Sequence, residues 1–247
     1  MIQIDRIRRH ALSRQPYEWA AIDRLYSHAD AAALVESYPR DRFKTVTGYD
    51  GEKGYQYEAR SLVHMGATIA TGPEGLSSSW RRLVDDLLST DYRAALGAMS
   101  GLDLSTAPLE VNLFHYGAGA WLGPHVDLKD KVVTHVLYFN RDWNPREGGC
   151  LQILRSRQMT DIDCEILPNV GNSALIVRSE KSWHGVARVA PECVRSRRSV
   201  TVTFYRPGAI STMWPPGDQS TLHDFDAQPE GGRSWREMLG SWLRRSA

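Results

Sequence analysis

The chain has 247 residues, with 30 Lys+Arg against 29 Asp+Glu and a formal net charge of +1; that length can bury a large core without staples, and the balanced charge argues against nucleic acid as a partner. Three cysteines (Cys150, Cys164 and Cys193), without a C-x-x-C pair, argue against a disulfide framework or a thiolate zinc site and predict a reducing, cytoplasmic home. The opening MIQIDRIRRHALSRQ has charges where a signal peptide needs an apolar run, and no stretch approaches the roughly 20 apolar residues of a membrane span, so a soluble protein with no membrane partner is expected.

In chain order, ADAAALVESYP (residues 29–39) predicts a helix, with Ser27 as N-cap, Asp30 three residues on and Pro39 as the stop. The Gly- and Tyr-rich TVTGYDGEKGYQYEAR that follows suits a mobile loop or a hairpin. Residues 77–99 read as one long helix or two short ones. Trp80, Leu83, Val84 and Leu87 fall at helical spacing, and Gly101 closes the segment. After residue 107 the texture changes to short β-branched and aromatic runs separated by Gly, Pro and Asn: LEVNLFHY, KVVTHVLYFN, CLQILRS, DCEILP, NSALIVR and RSVTVTFYR. Such spacing predicts an antiparallel sandwich or barrel. One domain is expected, with a helical layer and loop over 1–107, a β core over 108–208, and a tail over 209–247 carrying a short helix around 235–243.

Alternate side chains of a strand share a face. In RSRRSVTVTFY one face carries Arg195, Arg197, Ser199, Thr201 and Thr203, and the other Arg198, Val200, Val202 and Phe204. The polar face could meet solvent or could line the inside of a barrel around a charged ligand. In VVTHVLYFN, Val132, Thr134, Val136 and Tyr138 share one face and Val133, His135, Leu137 and Phe139 the other. Both are largely apolar, so the strand is expected to be buried on both sides with His135 a core histidine. An inward Tyr138 needs a partner for its hydroxyl.

WLGPHVDLKD places His125 and Asp127 two apart, either as metal ligands or as polar residues of a surface turn. Side chains two apart on an extended backbone, about 6–7 Å between Cα atoms, can converge on one ion. A third donor is available in His184 of SEKSWHGV, with 56 residues (128–183) between it and Asp127, enough for several strands. Two imidazoles and a carboxylate leave metal positions open, which suits non-heme Fe(II) and oxygen chemistry.

H-x-D, a distal His and then R-x-S together resemble the Fe(II)/2-oxoglutarate-dependent dioxygenases. The resemblance runs from LEVNLFHYGAGAWLGPHVD to RRSVTVTFY, and YFNRDWNPREGGCLQIL is similar to the prolyl-hydroxylase branch. It implies a double-stranded β-helix (jelly roll), mainly β in an α+β chain, with the N-terminal helical layer and the short C-terminal helix added to it. It implies His125, Asp127 and His184 as iron ligands and Arg197 as the anchor of 2-oxoglutarate, with Tyr138 as second donor and Ser199 and Thr201 on the same face. Arg195, of the same parity, competes with Arg197. Tyr116 resembles a tyrosine near the cofactor's proximal carboxylate, and Asn112 and Phe114 share its face. Trp121 and Trp183 flank the ligands and either shape the pocket or pack. His64 and His115 are expected to be structural, and Asn140 and Gly148–Gly149 to form turns.

The activity implied is oxygenation, most simply hydroxylation, with Fe(II), 2-oxoglutarate and O2 and with release of succinate and CO2. The expected substrate is a small metabolite: an amino acid, a peptide natural product or a sugar. A prolyl residue in a protein is the alternative, and residues 48–60 are a candidate lid over either. A rival from another class is a jelly-roll binding protein or isomerase without redox chemistry, which would not need all three motifs.

Overall fold

Four α-helices and eleven strands form among the described residues of the computed structural model, which covers 1–50 and 53–225. The helices are α1 (Ile4–Arg9), α2 (His28–Glu36), α3 (Ser78–Leu88) and α4 (Thr90–Ser100). The Ser27 hydroxyl caps α2 by accepting from the Asp30 amide at 3.1 Å. Ser89 decides that residues 77–100 are two helices. Its extended backbone ends α3, and its hydroxyl accepts from the Tyr92 amide at 3.2 Å to start α4. Gly101 stops α4 in the left-handed conformation.

The strands are β1 (Trp19–Ile22), β2 (Lys44–Asp50), β3 (Lys53–Val63), β4 (Leu109–Tyr116), β5 (Trp121–His125), β6 (Lys131–Tyr138), β7 (Leu151–Leu154), β8 (Ile162–Ile166), β9 (Ser173–Val177), β10 (His184–Val186) and β11 (Arg197–Tyr205). They are hydrogen-bonded in the order β1-β9-β6-β11-β4-β3-β5-β10-β7-β8, with β2 paired to β3. This nearly closed antiparallel wrap is the expected jelly roll. The first 107 residues hold more than helices and a loop, however. The 44–63 segment is a hairpin whose second strand joins the sheet between β4 and β5, and β1 adds an edge to β9. Of the loop and the hairpin expected for this segment, the hairpin forms, and its strands take up most of the 48–60 stretch offered as a lid. The helix expected around 235–243 lies outside the described residues.

The sheet has two apolar faces, which explains the double burial of β6. Val133, Leu137 and Phe139 join Val111, Leu113, Val200, Val202 and Phe204 in one cluster with Trp80, Leu83, Val84 and Leu87 of α3. Val136 and Tyr138 join Tyr116, Ile153, Ala174, Ile176 and Val186 in a second cluster inside the wrap. Each fully buried aliphatic or aromatic side chain contributes about 1.5–3 kcal/mol. His135 is a core histidine as expected, with its Nδ1 2.7 Å from the Tyr92 hydroxyl of α4.

Candidate active site

β5 and β10 run antiparallel with His125 opposite His184. Strand pairing thus brings two imidazoles together, with ring centroids 4.3 Å apart. Each ring is oriented by nearby backbone. His125 Nδ1 lies 2.9 Å from the Gly123 carbonyl oxygen, and His184 Nδ1 2.8 Å from that of Ser182. A carbonyl only accepts, so in each neutral ring Nδ1 carries the proton and Nε2 the lone pair. Asp127 follows β5 by two residues, and the three side chains offer one ligand atom each within 4.8 Å of one another.

Asp127 is buried, and both its carboxylate oxygens have donors. Lys131 Nζ is 2.7 Å from one and Thr134 Oγ1 2.8 Å from the other. Burial alone would raise the carboxyl pKa. The Lys131 ammonium, with the two imidazoles, overcomes that and holds it well below the usual carboxylate range. An anionic oxygen donor thus faces two imidazole nitrogens, a set that fits a divalent iron with open positions. Lys131 and Thr134 were not singled out from the sequence. The available signals were the parity Thr134 shares with Tyr138 and the spacing of Lys131, four after Asp127.

The polar face of β11 turns inward. Arg197 stands opposite Tyr116 of β4, and Ser199 opposite Phe114 of β4 and Tyr138 of β6. Arg197 is 2% exposed; its Nε–H donates to the Gly149 carbonyl at 2.7 Å and Nη1–H to Ser199 Oγ at 2.9 Å. Its guanidinium carbon lies 4.8 Å from the Tyr116 ring centre and 5.2 Å from that of Tyr138. The Tyr138 hydroxyl is buried beside this fork without a well-formed hydrogen bond. Burial raises the Tyr138 phenol, which stays a donor at neutral pH. An orphaned hydroxyl next to a clamped guanidinium is what a bound carboxylate would complete. The donor sets at both ends therefore fit iron and 2-oxoglutarate.

Arg195 behaves differently. Its side chain is 41% exposed, ion-paired with Glu147, and donates to the carbonyls of Arg141 and Asp142 at 2.8 and 3.0 Å. It clamps the 141–147 turn from outside. Gly149 matters to the inward arginine, because its φ is +70° and a Cβ there would meet Arg197 Cδ at 3.3 Å. Asn140 pins the start of β11 by donating to the Ser196 carbonyl and accepting from the Arg198 amide.

The remaining candidates divide. Tyr116 is enclosed against Arg197, its pKa pushed up to about 12 by burial. Phe114 and Tyr116 are both covered by Tyr57 of β3, at 5.3 and 5.4 Å between ring centroids; from the sequence this residue has no role beyond the loop, hairpin or lid read over its segment. Asn112 is on the inner face, but its Oδ1 is occupied by Trp214 Nε1 at 2.7 Å. Trp121 is stacked under Arg188, and the Trp183 carbonyl accepts from the Tyr17 hydroxyl. His115 is kept neutral by enclosure, its pKa lowered to about 4. His64 lies against Ser61.

Residues 111–206 match the family model described as the 2OG-Fe(II) oxygenase superfamily. The matched stretch runs from β4 through β11 and contains His125, Asp127, His184 and Arg197. Enzymes of this superfamily use Fe(II), 2-oxoglutarate and O2, and the matched stretch of this oxygenase carries a donor set that fits them. No curated protein matches it. Among solved structures, a Pseudomonas putida prolyl-4-hydroxylase superposes with a TM-score of 0.54 at 21% identity, covering 82% of this chain and 97% of that one. A 2OG-Fe(II) oxygenase family oxidoreductase from Burkholderia pseudomallei gives 0.52 at 13%, covering 76% and 84%. A Trichoplax adhaerens prolyl hydroxylase, solved with a hypoxia-inducible-factor peptide fragment, gives 0.50 at 13%, covering 83% and 87%. These likenesses place the oxygenase in the same fold. No helix among its described residues is long and apolar enough to cross a membrane.

Proposed function

We propose that this oxygenase hydroxylates a small metabolite, such as an amino acid, a peptide natural product or a sugar. In this reading His125, Asp127 and His184 hold the iron and Arg197 grips the distal carboxylate of 2-oxoglutarate, with Tyr138 as second donor. The observation that carries it is the convergence of the three ligand atoms within 4.8 Å in the same wrap as an inward, clamped Arg197. When bound, iron and 2-oxoglutarate supply the oxidising power, with O2 consumed and succinate and CO2 released.

The chain's own residues supply placement. Gly123 and Ser182 carbonyls hold the Nδ1 protons and aim the Nε2 lone pairs. Lys131 and Thr134 fix the plane of the Asp127 carboxylate. Gly149 and Ser199 fix the plane of the Arg197 fork, whose geometry matches a carboxylate bidentately. Tyr116 and Asn112 share the same inner face of β4, with Tyr116 against the Arg197 guanidinium. The three free cysteines suit a reducing cytoplasm.

A prolyl residue in a protein is the second reading. It is favoured by the aromatic wall of Tyr55, Tyr57 and Phe114, which could hold an apolar ring, and by the prolyl hydroxylases among the structural relatives. The test of the core reading is spectroscopic. Anaerobic Fe(II) with 2-oxoglutarate should give a weak visible charge-transfer band. No band and no bound metal would sink the assignment. A substrate screen that reads succinate release, run on small metabolites and on proline-containing peptides, separates the two substrates.

A further inference from the structure

A second concavity of about 310 Å³ lies along the far end of β3, with Arg42, Arg60, Ser61, His64, Thr71 and Trp214 in its wall. Arg60 is 1% exposed. Only its Nη2 finds an acceptor, the partly exposed Asp41 at 3.3 Å, while Nε–H and Nη1–H meet none. Burial lowers its pKa, and Asp41 opposes that. A buried guanidinium with two donor groups unsatisfied is an arrangement that native structures complete with an ion or a ligand.

The neighbours point the same way. Arg42 has a left-handed backbone, φ 61°, and its guanidinium lies over Gly72, where a Cβ would come 2.0 Å from Nη1. The missing side chain at Gly72 makes room for this second cation. Ser61 Oγ lies 3.2 Å from His64 Nδ1 and 3.3 Å from Thr71 Oγ1, a row of groups that can donate. Asp218 is engaged with Lys44 at 2.6 Å and with Ser220, while Glu74 pairs with Arg42 at 2.5 Å and Asp41 lies 3.6 Å from Arg42 Nε, so an anion would compete with these two outer carboxylates for Arg42. Asp41 reaches only Nη2 of Arg60. The pocket is separate from the Arg197 anchor, since Arg197 stands opposite Tyr116 on β4 and Ser61 opposite Asn112, nearer the other end of the strand.

We infer that this pocket binds an oxyanion group, a carboxylate or a phosphate, held by Arg60 and Arg42 with the Ser61 and Thr71 hydroxyls. Trp214 lines the pocket and also bonds Asn112 on the inner face, so an anion held here sits next to the active-site wall. The inference is independent of the iron assignment.

The test is a titration of metal-free protein with inorganic phosphate and, separately, with acetate, read by histidine-ring NMR. The His64 signal is identified by its loss in His64→Gln. A saturable shift of that signal is expected with at least one anion, and the responding anion gives the ligand class. Arg42→Ala should weaken the response about tenfold, the scale of one charge-assisted pair. Gly72→Ala, which crowds Arg42, should weaken it in the same direction. Arg197→Ala should leave it unchanged. Arg60→Lys keeps the charge and removes the fork, and should weaken binding if its Tm shows that it folds; if it does not fold, the Arg42 result decides. No saturable shift with either anion, an undiminished shift in Arg42→Ala, or a shift lost in Arg197→Ala would each overturn the inference. The charge-transfer band of the wild-type protein is read separately, so failure here leaves the iron reading standing.

Discussion

Asp127 is sealed between an ammonium, a hydroxyl and two imidazoles, and each of these neighbours favours its anionic form. Removing either imidazole takes one donor from a three-residue set while leaving the strand pairing of β5 and β10 in place. His125→Ala and His184→Ala should therefore fold with a Tm close to wild type yet lose tight metal binding and turnover; full activity of either variant with added Fe(II) would show the triad to be misassigned. At the other end of the site, Arg197→Lys should raise the 2-oxoglutarate concentration needed for half-maximal turnover, and Arg197→Ala should raise it further. Arg195→Ala should leave that requirement alone, because Arg195 serves the outer turn at Glu147. The opposite pattern would exchange the two roles. That His125, Asp127 and His184 come together and that Arg197 turns inward could be anticipated from spacing, strand parity and the family resemblance. The part played by Lys131 and Thr134 could not, since it comes from how the turn after Asp127 folds back onto β6.

Ser89 shows how one residue sets an element boundary. It closes α3 and caps α4, so Ser89→Ala should cost about 1 kcal/mol, measurable by urea denaturation, without changing 2-oxoglutarate affinity. Gly149→Ala should do both kinds of damage. Its left-handed backbone resists a side chain, and the added methyl presses on Arg197, so stability should fall and the 2-oxoglutarate requirement rise together. A Gly149→Ala enzyme with unchanged cofactor affinity would mean that Arg197 is held by other contacts. α2, α3, α4 and six of the eight strands after residue 107 could be read in sequence from caps, Gly-Pro punctuation and alternation; α1 and the short strands β5 and β10 were not. β1 could not, because four residues are too few for a period to register. The β2–β3 hairpin was one of two readings offered for 45–60, but its insertion between β4 and β5 was not legible, because those partners are distant in sequence.

For the whole molecule, two enclosed histidines set the response to acid. Enclosure lowers His115 to about 4 and His135 to about 3, against an ordinary value near 6.5. Below pH 6.5 the unfolded chain takes up protons at these positions and the folded chain does not. Their contribution to stability is complete above that pH and declines as the pH falls toward the folded values, by up to about 1.4 kcal/mol per pH unit for each histidine. Urea midpoints measured between pH 7 and 5 should fall accordingly, and His115→Gln should flatten the slope by about one proton. A slope unchanged by that substitution would remove His115 from the account.

Among the described residues, two register pairs, Tyr55 with Leu122 and Gln56 with Trp121, make the strand connection between the β5–β10–β7–β8 half and the rest of the sheet. His125 and His184 belong to one half, and Arg197 to the other. Anything gripped at both ends then acts as a cross-brace between two leaves joined along a narrow hinge. In the proposed reading, iron with 2-oxoglutarate is such a brace, while iron alone touches the Arg197 leaf at most through Asp127 and its bond to Thr134. Amide exchange in β5 and β10 should accordingly slow more with both present than with metal alone. The enzyme would then be stiffest when it is loaded, and substrate would meet a frame drawn taut by its own co-substrate.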